Sequence, residues 1–169
     1  MSTAFVAILM GSDSDLPVMQ VTLDILKQLD IRFEVRITSA HRTPKATHDY
    51  VADADARGCV AFIAAAGLAA HLAGAVAAIT IKPVIGVPLD AGPLQGMDAL
   101  LATVQMPGGI PVACVAVGKA GASNAAWLAA QIIAVSDPAV ARRLLQERAA
   151  NAQAVLDKND KLQATLGRA

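Results

Sequence analysis

A histidine and an arginine stand side by side in Ser39-Ala40-His41-Arg42-Thr43-Pro44, between a strand-like run and a helix-like one. Both are poor core residues. The planar fork of Arg42 suits phosphate or carboxylate, and the His41 imidazole can carry a proton near neutral pH. A merely solvated loop is the competing reading. A second polar stretch, Gly11-Ser12-Asp13-Ser14-Asp15, follows an apolar run. Glycine permits a tight turn, Ser12 and Ser14 offer hydroxyls, and a following helix would offer free backbone N–H groups, together an anion cradle fit for phosphate. A plain Ser/Asp cap fits as well. Two aspartates repel phosphate, so Asp15 is expected to meet neutral hydroxyls. A third stretch, Ala66-Gly67-Leu68-Ala69-Ala70-His71, has small residues that let a ligand reach the backbone. Its His71 reads either as a site residue or as a satisfied core histidine. His48, in Thr47-His48-Asp49, reads as a solvated surface residue.

Alternating elements would position these stretches. Phe5–Met10 is a continuous apolar run, as a strand buried on both faces should be. Leu16, Met19, Leu23, Leu26 and Leu29 recur at helical spacing. Residues 32–38 alternate, which predicts a half-exposed strand near a sheet edge. Thr43-Pro44 caps a helix running to Arg57 and stopped by Gly58. Further strands are expected at Val60–Ala65, Pro83–Val87 and Val112–Val117. Further helices are expected at Ala69–Ile79, Met97–Val104 and Ala122–Val135, and from Ala139, after the Asp137-Pro138 cap, to about Leu156. Five strands alternating with helices predict a parallel sheet covered on both faces. Ligands of such sheets sit beyond the carboxyl ends of the strands, where the three polar stretches fall. One domain is expected over 1–169, with a core at about 4–150 and a C-terminal helix and tail at about 139–169.

Composition sets the bounds. Of 169 residues, 55% are hydrophobic and 17% charged, which excludes a disordered chain. Fourteen basic residues balance fourteen acidic ones, so no global charge favours nucleic acid or an anionic membrane. Aromatics at 3% argue against base-stacking platforms. A chain this apolar and weakly charged is expected to bury surface in an oligomer. Cys59 and Cys114 lie in apolar runs and read as buried free thiols, without metal-ligand spacing. The uncharged stretch Val60–Ile81 is long enough for a membrane span, but its glycines and alanines fit strand, turn and helix better. The first residues lack the basic region of a signal peptide, so cytoplasm is the expected compartment.

The three stretches, with Ala69-Ala70-His71-Leu72, Gln105-Met106-Pro107-Gly108-Gly109-Ile110-Pro111-Val112 and Gly118-Lys119-Ala120-Gly121-Ala122, resemble the PurE family over roughly residues 4 to 150. The match is to its class I branch, the N5-carboxyaminoimidazole ribonucleotide mutases of purine biosynthesis. The resemblance implies a three-layer flavodoxin-like (Rossmann-like) α/β fold, a homo-octamer with sites built at subunit contacts, a ribonucleotide substrate, and no metal or organic cofactor. It also implies a functional link to an ATP-dependent N5-carboxyaminoimidazole ribonucleotide synthetase. Phosphate and ribose contacts fall by resemblance on Ser12, Asp15, Ser39 and Arg42, with Ser14 beside them. The catalytic histidine falls on His41 and the second, site-shaping histidine on His71. Backbone around Gly67, Leu68 and Ala69 would hold the migrating carboxyl group. Gln105–Gly109 would close the site, from this chain or from a neighbouring subunit. The family usually carries a second glycine at the position of Leu68 and a proline at that of Ala73; the leucine is expected to narrow the carboxyl pocket.

Two other functions fit the pattern less well. One is a carboxylase that uses carbon dioxide directly; the branch that does so lacks the Ala-Ala-His-Leu stretch. The other is a non-catalytic nucleotide or flavin sensor of the same fold. Its phosphorylated-receiver form needs an aspartate ending the third strand, and none stands there.

Overall fold

The computed structural model describes residues 4–167; the outermost residues of the predicted 1–169 domain lie outside that range. Five strands form one all-parallel sheet in the order β2-β1-β3-β4-β5. They are β1 (Phe5–Met10), β2 (Phe33–Ile37), β3 (Cys59–Ala66), β4 (Val84–Pro88) and β5 (Ala113–Cys114). The intervening helices are α1 (Leu16–Gln28), α2 (Pro44–Ala56), α3 (Leu72–Ala77), α4 (Met97–Val104) and α5 (Gly118–Ala134), followed by α6 (Pro138–Leu166). This is the flavodoxin-like strand order, in which the chain reverses direction across the sheet between β1 and β3.

Every residue of β1 is buried, and its alternation divides the core. Val6, Ile8 and Met10 pack with α1, α5 and α6, whereas Phe5, Ala7 and Leu9 pack with α2 and α3. The alanines of α5 explain how closely it lies on α1. Ala122, Ala125, Ala126, Ala129 and Ala130 are buried, and the Thr22 hydroxyl donates to the Ala122 carbonyl at 2.7 Å. A Cβ on Gly121 would stand 2.2 Å from the Ala116 carbonyl oxygen, so only glycine fits there. The predicted edge strand is β2, and its residues are half-buried or exposed.

Several boundaries differ from the sequence expectation. The fifth strand keeps only Ala113–Cys114 of Val112–Val117. Pro111 lacks a backbone donor, and Ala116 at φ 136° turns the chain away from the sheet. Helix α3 starts at Leu72 rather than Ala69 and ends at Ala77; Leu68 at φ 55° is left-handed and cannot begin a helix. Helix α5 begins at Gly118, four residues before Ala122. Helix α6 continues to Leu166, ten residues past Leu156, through a stretch without glycine or proline to break it. Thr43 stands at the N-cap of α2 but makes no capping bond; its hydroxyl is engaged with Ser39 instead. Asp137 caps α6 as expected, accepting from the N–H groups of Ala139 and Val140. Cys59 is buried, and burial pushes its thiol up to about 11; Cys114 is only half-buried. Among the described residues no helix is long and apolar enough to cross a membrane.

Candidate active site

The turns after β1, β2 and β3 converge on a recess of about 540 Å³ at the carboxyl edge of the sheet. All ten residues singled out in the sequence line it: Ser12, Ser14, Asp15, Ser39, His41, Arg42, Gly67, Leu68, Ala69 and His71. Parallel strands deliver their following turns to one edge, and β2, β1 and β3 are consecutive in the sheet, so the three turns meet.

The β1 turn is built by reciprocal capping. The Ser12 N–H donates to Asp15 Oδ2 at 3.0 Å, while the Ser12 hydroxyl accepts from the Ser14 N–H at 3.3 Å and from the Ser14 hydroxyl at 2.9 Å. The Ser12 hydroxyl in turn donates to Asp13 Oδ1 at 3.1 Å. Asp15 therefore meets backbone N–H groups, besides the hydroxyl of Ser14, and occupies part of the anion cradle itself. Burial pushes its carboxyl above the ordinary range, against the lowering pull of the N–H groups of Ser12 and Gly11 and of the Ser14 hydroxyl.

Three threonines shape the β2 turn, and sequence reasoning had passed over them as site-forming residues. Thr38 and Thr47 share a buried hydroxyl hydrogen bond of 2.6 Å, and Thr43 Oγ1 accepts from the Ser39 N–H at 2.9 Å. The Ser39 hydroxyl accepts from the Arg42 N–H at 3.1 Å. These bonds close a compact loop that projects His41 and Arg42 outward. Both side chains are exposed, and the Arg42 guanidinium makes no ion pair among the described residues.

His71 lies immediately before α3 and is exposed, so it is not a core histidine. Its Nδ1 is 2.8 Å from His41 Nε2, with the rings edge to face at 4.9 Å between centroids. One ring must donate and the other accept, so the intact pair holds at most one proton beyond the neutral state. The contact holds the His41 ring through Nε2, and its Nδ1 makes no hydrogen bond among the described residues. The spacing of 30 residues gave no hint of direct contact; only the adjacency of β1 to both β2 and β3 brings the rings together.

Gly67 and Ala69 form a wall of backbone and methyl groups with Ala66, Ala40 and Ala91. Ala91, in the turn after β4, was not singled out; the one available signal was its place after a fourth parallel strand. The Leu68 side chain is turned toward Gly92, alongside the wall. Two segments of the resemblance lie elsewhere. Lys119 is exposed in the first turn of α5 and does not line the recess. Gly109 and Ile110 share a separate recess with Ala77 and with Thr80–Val84, at the start of β4 and thus the opposite edge of the sheet. His48 is exposed on α2, as expected. Among the described residues no three His, Cys, Asp or Glu side chains converge as metal ligands would.

The chain is similar to known proteins along most of its length. The AIR carboxylase family profile matches residues 5–154. The N5-carboxyaminoimidazole ribonucleotide mutase of Bacillus subtilis (strain 168) is 50% identical over 157 residues, 93% of this chain and 97% of that one. The enzyme of the same name from Thermotoga maritima is 48% identical over 158 residues, 94% of this chain and 91% of that one. Among solved structures, Treponema denticola PurE superposes with a TM-score of 0.85 at 30% identity, covering 95% of this chain and 99% of that one.

Proposed function

This chain belongs to the AIR carboxylase family, and from that premise we propose that it converts N5-carboxyaminoimidazole ribonucleotide to 4-carboxyaminoimidazole ribonucleotide. The observation that carries the reading is the His41–His71 contact, set beside a wall of glycine and alanine and between two hydroxyl-bearing turns. The reaction moves a carboxylate from the exocyclic nitrogen to ring carbon four without redox change. A proton reaches the nitrogen as its carbamate bond breaks, carbon dioxide is held, the ring carbon attacks it, and the ring proton then leaves. One imidazole over the ring serves both proton transfers: His41 gives the first proton and receives the second. His71 keeps the His41 ring oriented. The small-residue wall keeps water away while carbon dioxide is free. Ser12, Ser14, Ser39 and the unpaired Arg42 take the phosphate and ribose and so fix the ring over His41. Their hydroxyls are free to rotate from their present partners to the substrate.

The test is turnover of N5-carboxyaminoimidazole ribonucleotide against turnover of aminoimidazole ribonucleotide with bicarbonate. Preferential use of the first supports the mutase. Preference for the second makes the chain a direct carboxylase. A yellow protein with neither activity would make it a flavin sensor.

Assembly belongs to the same proposal. Gly109, at the end of the Gln105–Gly109 loop, lines a recess at the amino-terminal edge of the sheet and not this chain's own active-site recess, so a neighbouring subunit is the source that fits. The alanine helix α5 spends its apolar face on α1, but α6 does not. Beyond Val140 and Leu144, which are buried, Leu145, Val155, Leu156, Leu162 and Leu166 are each more than half exposed along a helix that leaves the body. Such a stripe suits a neighbouring copy in a homo-octamer; a monomer or dimer in light scattering at micromolar concentration would count against it. The carbamate substrate is labile and must come from an ATP-dependent carboxylation of the amine, in the cytoplasm on this reading.

A further inference from the structure

The β3 turn and the loop after β4 interlock beside the recess. A Cβ on Gly67 would lie 2.9 Å from the Ala91 Cβ, and one on Gly92 would lie 2.4 Å from Leu68 Cδ2. The contacts Gly67–Ala91 and Leu68–Gly92 are thus two successive rungs. A third sits at their base, where the Leu89 N–H donates to the Ala66 carbonyl at 2.9 Å. The ends of the loop are also held, with Asp90 against Gly118 and Gly96 against Val117, but its exposed middle, at Ala91 and Gly92, meets the β3 turn alone among the described residues. Gly92, Gln95 and Gly96 all have positive φ, and residues 90–95 are exposed.

Leu68 is an unusual residue for its post. Its φ of 55° is left-handed, a conformation that costs any residue with a Cβ. The leucine is 51% exposed, so core burial does not compensate. Strain of this kind persists where neighbouring structure enforces it and clusters where function uses it. Asparagine or glycine would relieve the strain but could not reach the notch that Gly92, itself at φ 77°, leaves open.

We propose that Leu68 is a positioning residue: its strained backbone points an apolar knob into the Gly92 notch, which pins the 89–96 loop and holds Ala91 in the wall of the recess. The consequence for turnover rests on the mutase reading; the consequence for the loop does not. The wall excludes water while carbon dioxide is free, so loosening it lowers kcat/KM through both constants.

Leu68→Ala removes the knob and keeps the strain. Leu68→Gly removes both. Leu68→Met keeps the reach. Hydrogen exchange of the amides at 91–95, KM and kcat for N5-carboxyaminoimidazole ribonucleotide, and melting temperature at one protein concentration are read on all three. Faster exchange is expected in Leu68→Ala and Leu68→Gly, with near-native exchange in Leu68→Met. KM is expected to rise and kcat to fall, together lowering kcat/KM about three- to tenfold in the first two, within what a small misplacement costs. Leu68→Gly should melt above Leu68→Ala, because it relieves the left-handed strain. Native exchange and kcat/KM in both Leu68→Ala and Leu68→Gly would overturn the proposal. So would a Leu68→Gly protein with native exchange and kcat/KM while Leu68→Ala alone is impaired, since strain and not the knob would then matter. If the wild type fails to turn over the substrate, the functional reading falls, while the exchange pattern still decides the role of Leu68.

Discussion

Helix α2 carries an arginine just outside each end, and the two live differently. Arg57, at its carboxyl end, is engaged by two carboxylates. It donates to Glu34 Oε2 at 2.9 Å and to Asp53 Oδ2 at 2.7 Å, and its guanidinium carbon lies 5.0 Å from the Phe5 ring centre. Glu34 accepts a further bond from the Tyr50 hydroxyl at 3.1 Å. Arg42, two residues before the other end, has no ion-pair partner among the described residues, although its own backbone N–H is tightly held by Ser39. The same side chain is a structural clamp where carboxylates surround it and an open receptor where the backbone is fixed but the head group is not. The carboxylates repeat the pattern. Glu34 is held below its usual range, first by the hydrogen bonds from Arg57, whereas burial pushes Asp15 in the recess upward. Polar groups of the flank satisfy one another; in the recess the turns bond internally, but the Arg42 guanidinium is left without an ion-pair partner among the described residues, open to a ligand.

If that contrast is functional, the recess should tolerate substitution in stability and fail in turnover. The largest effect is expected at His41. His41→Asn keeps similar bulk and hydrogen-bonding ability but cannot shuttle a proton, so the protein should fold and bind nucleotide while kcat falls by about 10² to 10⁴. kcat/KM should fall in parallel, because the lost interaction belongs to the transition state. His71→Asn should cost less, since it removes the partner that orients His41 and not the proton carrier. His48→Asn, on the solvated face of α2, should be silent. A folded His41→Asn enzyme with more than about a tenth of native kcat would remove His41 from the mechanism.

The two arginines supply the next test. Arg42→Ala should lower kcat/KM by roughly 1.5–3 kcal/mol through lost substrate binding, with an unchanged melting temperature. Ser12→Ala should act in the same direction, by about 1 kcal/mol for a neutral hydroxyl. Arg57→Ala should do the reverse and lower the melting temperature with kcat/KM intact. Steady-state kinetics beside thermal melts on the three variants expose the crossover. An Arg42→Ala protein that loses stability and keeps kcat/KM would dissolve the distinction between the two ends of α2.

How much of this was legible in the sequence follows from the range of the interactions. The sheet and the polar turns were readable because apolar runs, glycines and caps are local signals: Phe5–Met10 and the Ser39–Pro44 turn declare themselves within a few residues. The recess was readable because parallel strands send their following turns to one edge. What escaped depends on contacts far apart in the chain. The His41–His71 hydrogen bond needs the order β2-β1-β3. Ala91 enters the wall only because β4 lies beside β3. The shortened β5 reflects Ala116 turning away, although Val115 and Val117 both favour a strand. The Thr38–Thr47 bond that sets the His41 turn joins a strand end to a helix, and threonine alone announces nothing of the kind.

The smallest expected effect is also the one that separates the two regions by sign. The Glu34 carboxyl is held below its ordinary value of 4.5. It therefore contributes stability that is present above that value and is lost as pH falls through its native one. The Asp15 carboxyl is pushed above its ordinary value of 3.8. In the window just above 3.8 the native state binds the proton more tightly than the unfolded chain, so this group's contribution falls as pH rises. Melting temperature should decline on acidification below about pH 4.5 in the wild type, from Glu34 and other paired carboxylates. Glu34→Gln should flatten that decline. Asp15→Asn keeps an acceptor for the Ser12 N–H but removes the titration that offsets the decline, so it should steepen it. Both changes will be modest, because solvent screens Glu34 and its partner and Asp15 is only partly buried. Melting curves between pH 3 and 6 at constant ionic strength read the two slopes against the wild type. Slopes that shift in the same direction would mean that the carboxylates of recess and flank share one environment, and the contrast between a self-satisfied flank and an open recess would not extend to their charges.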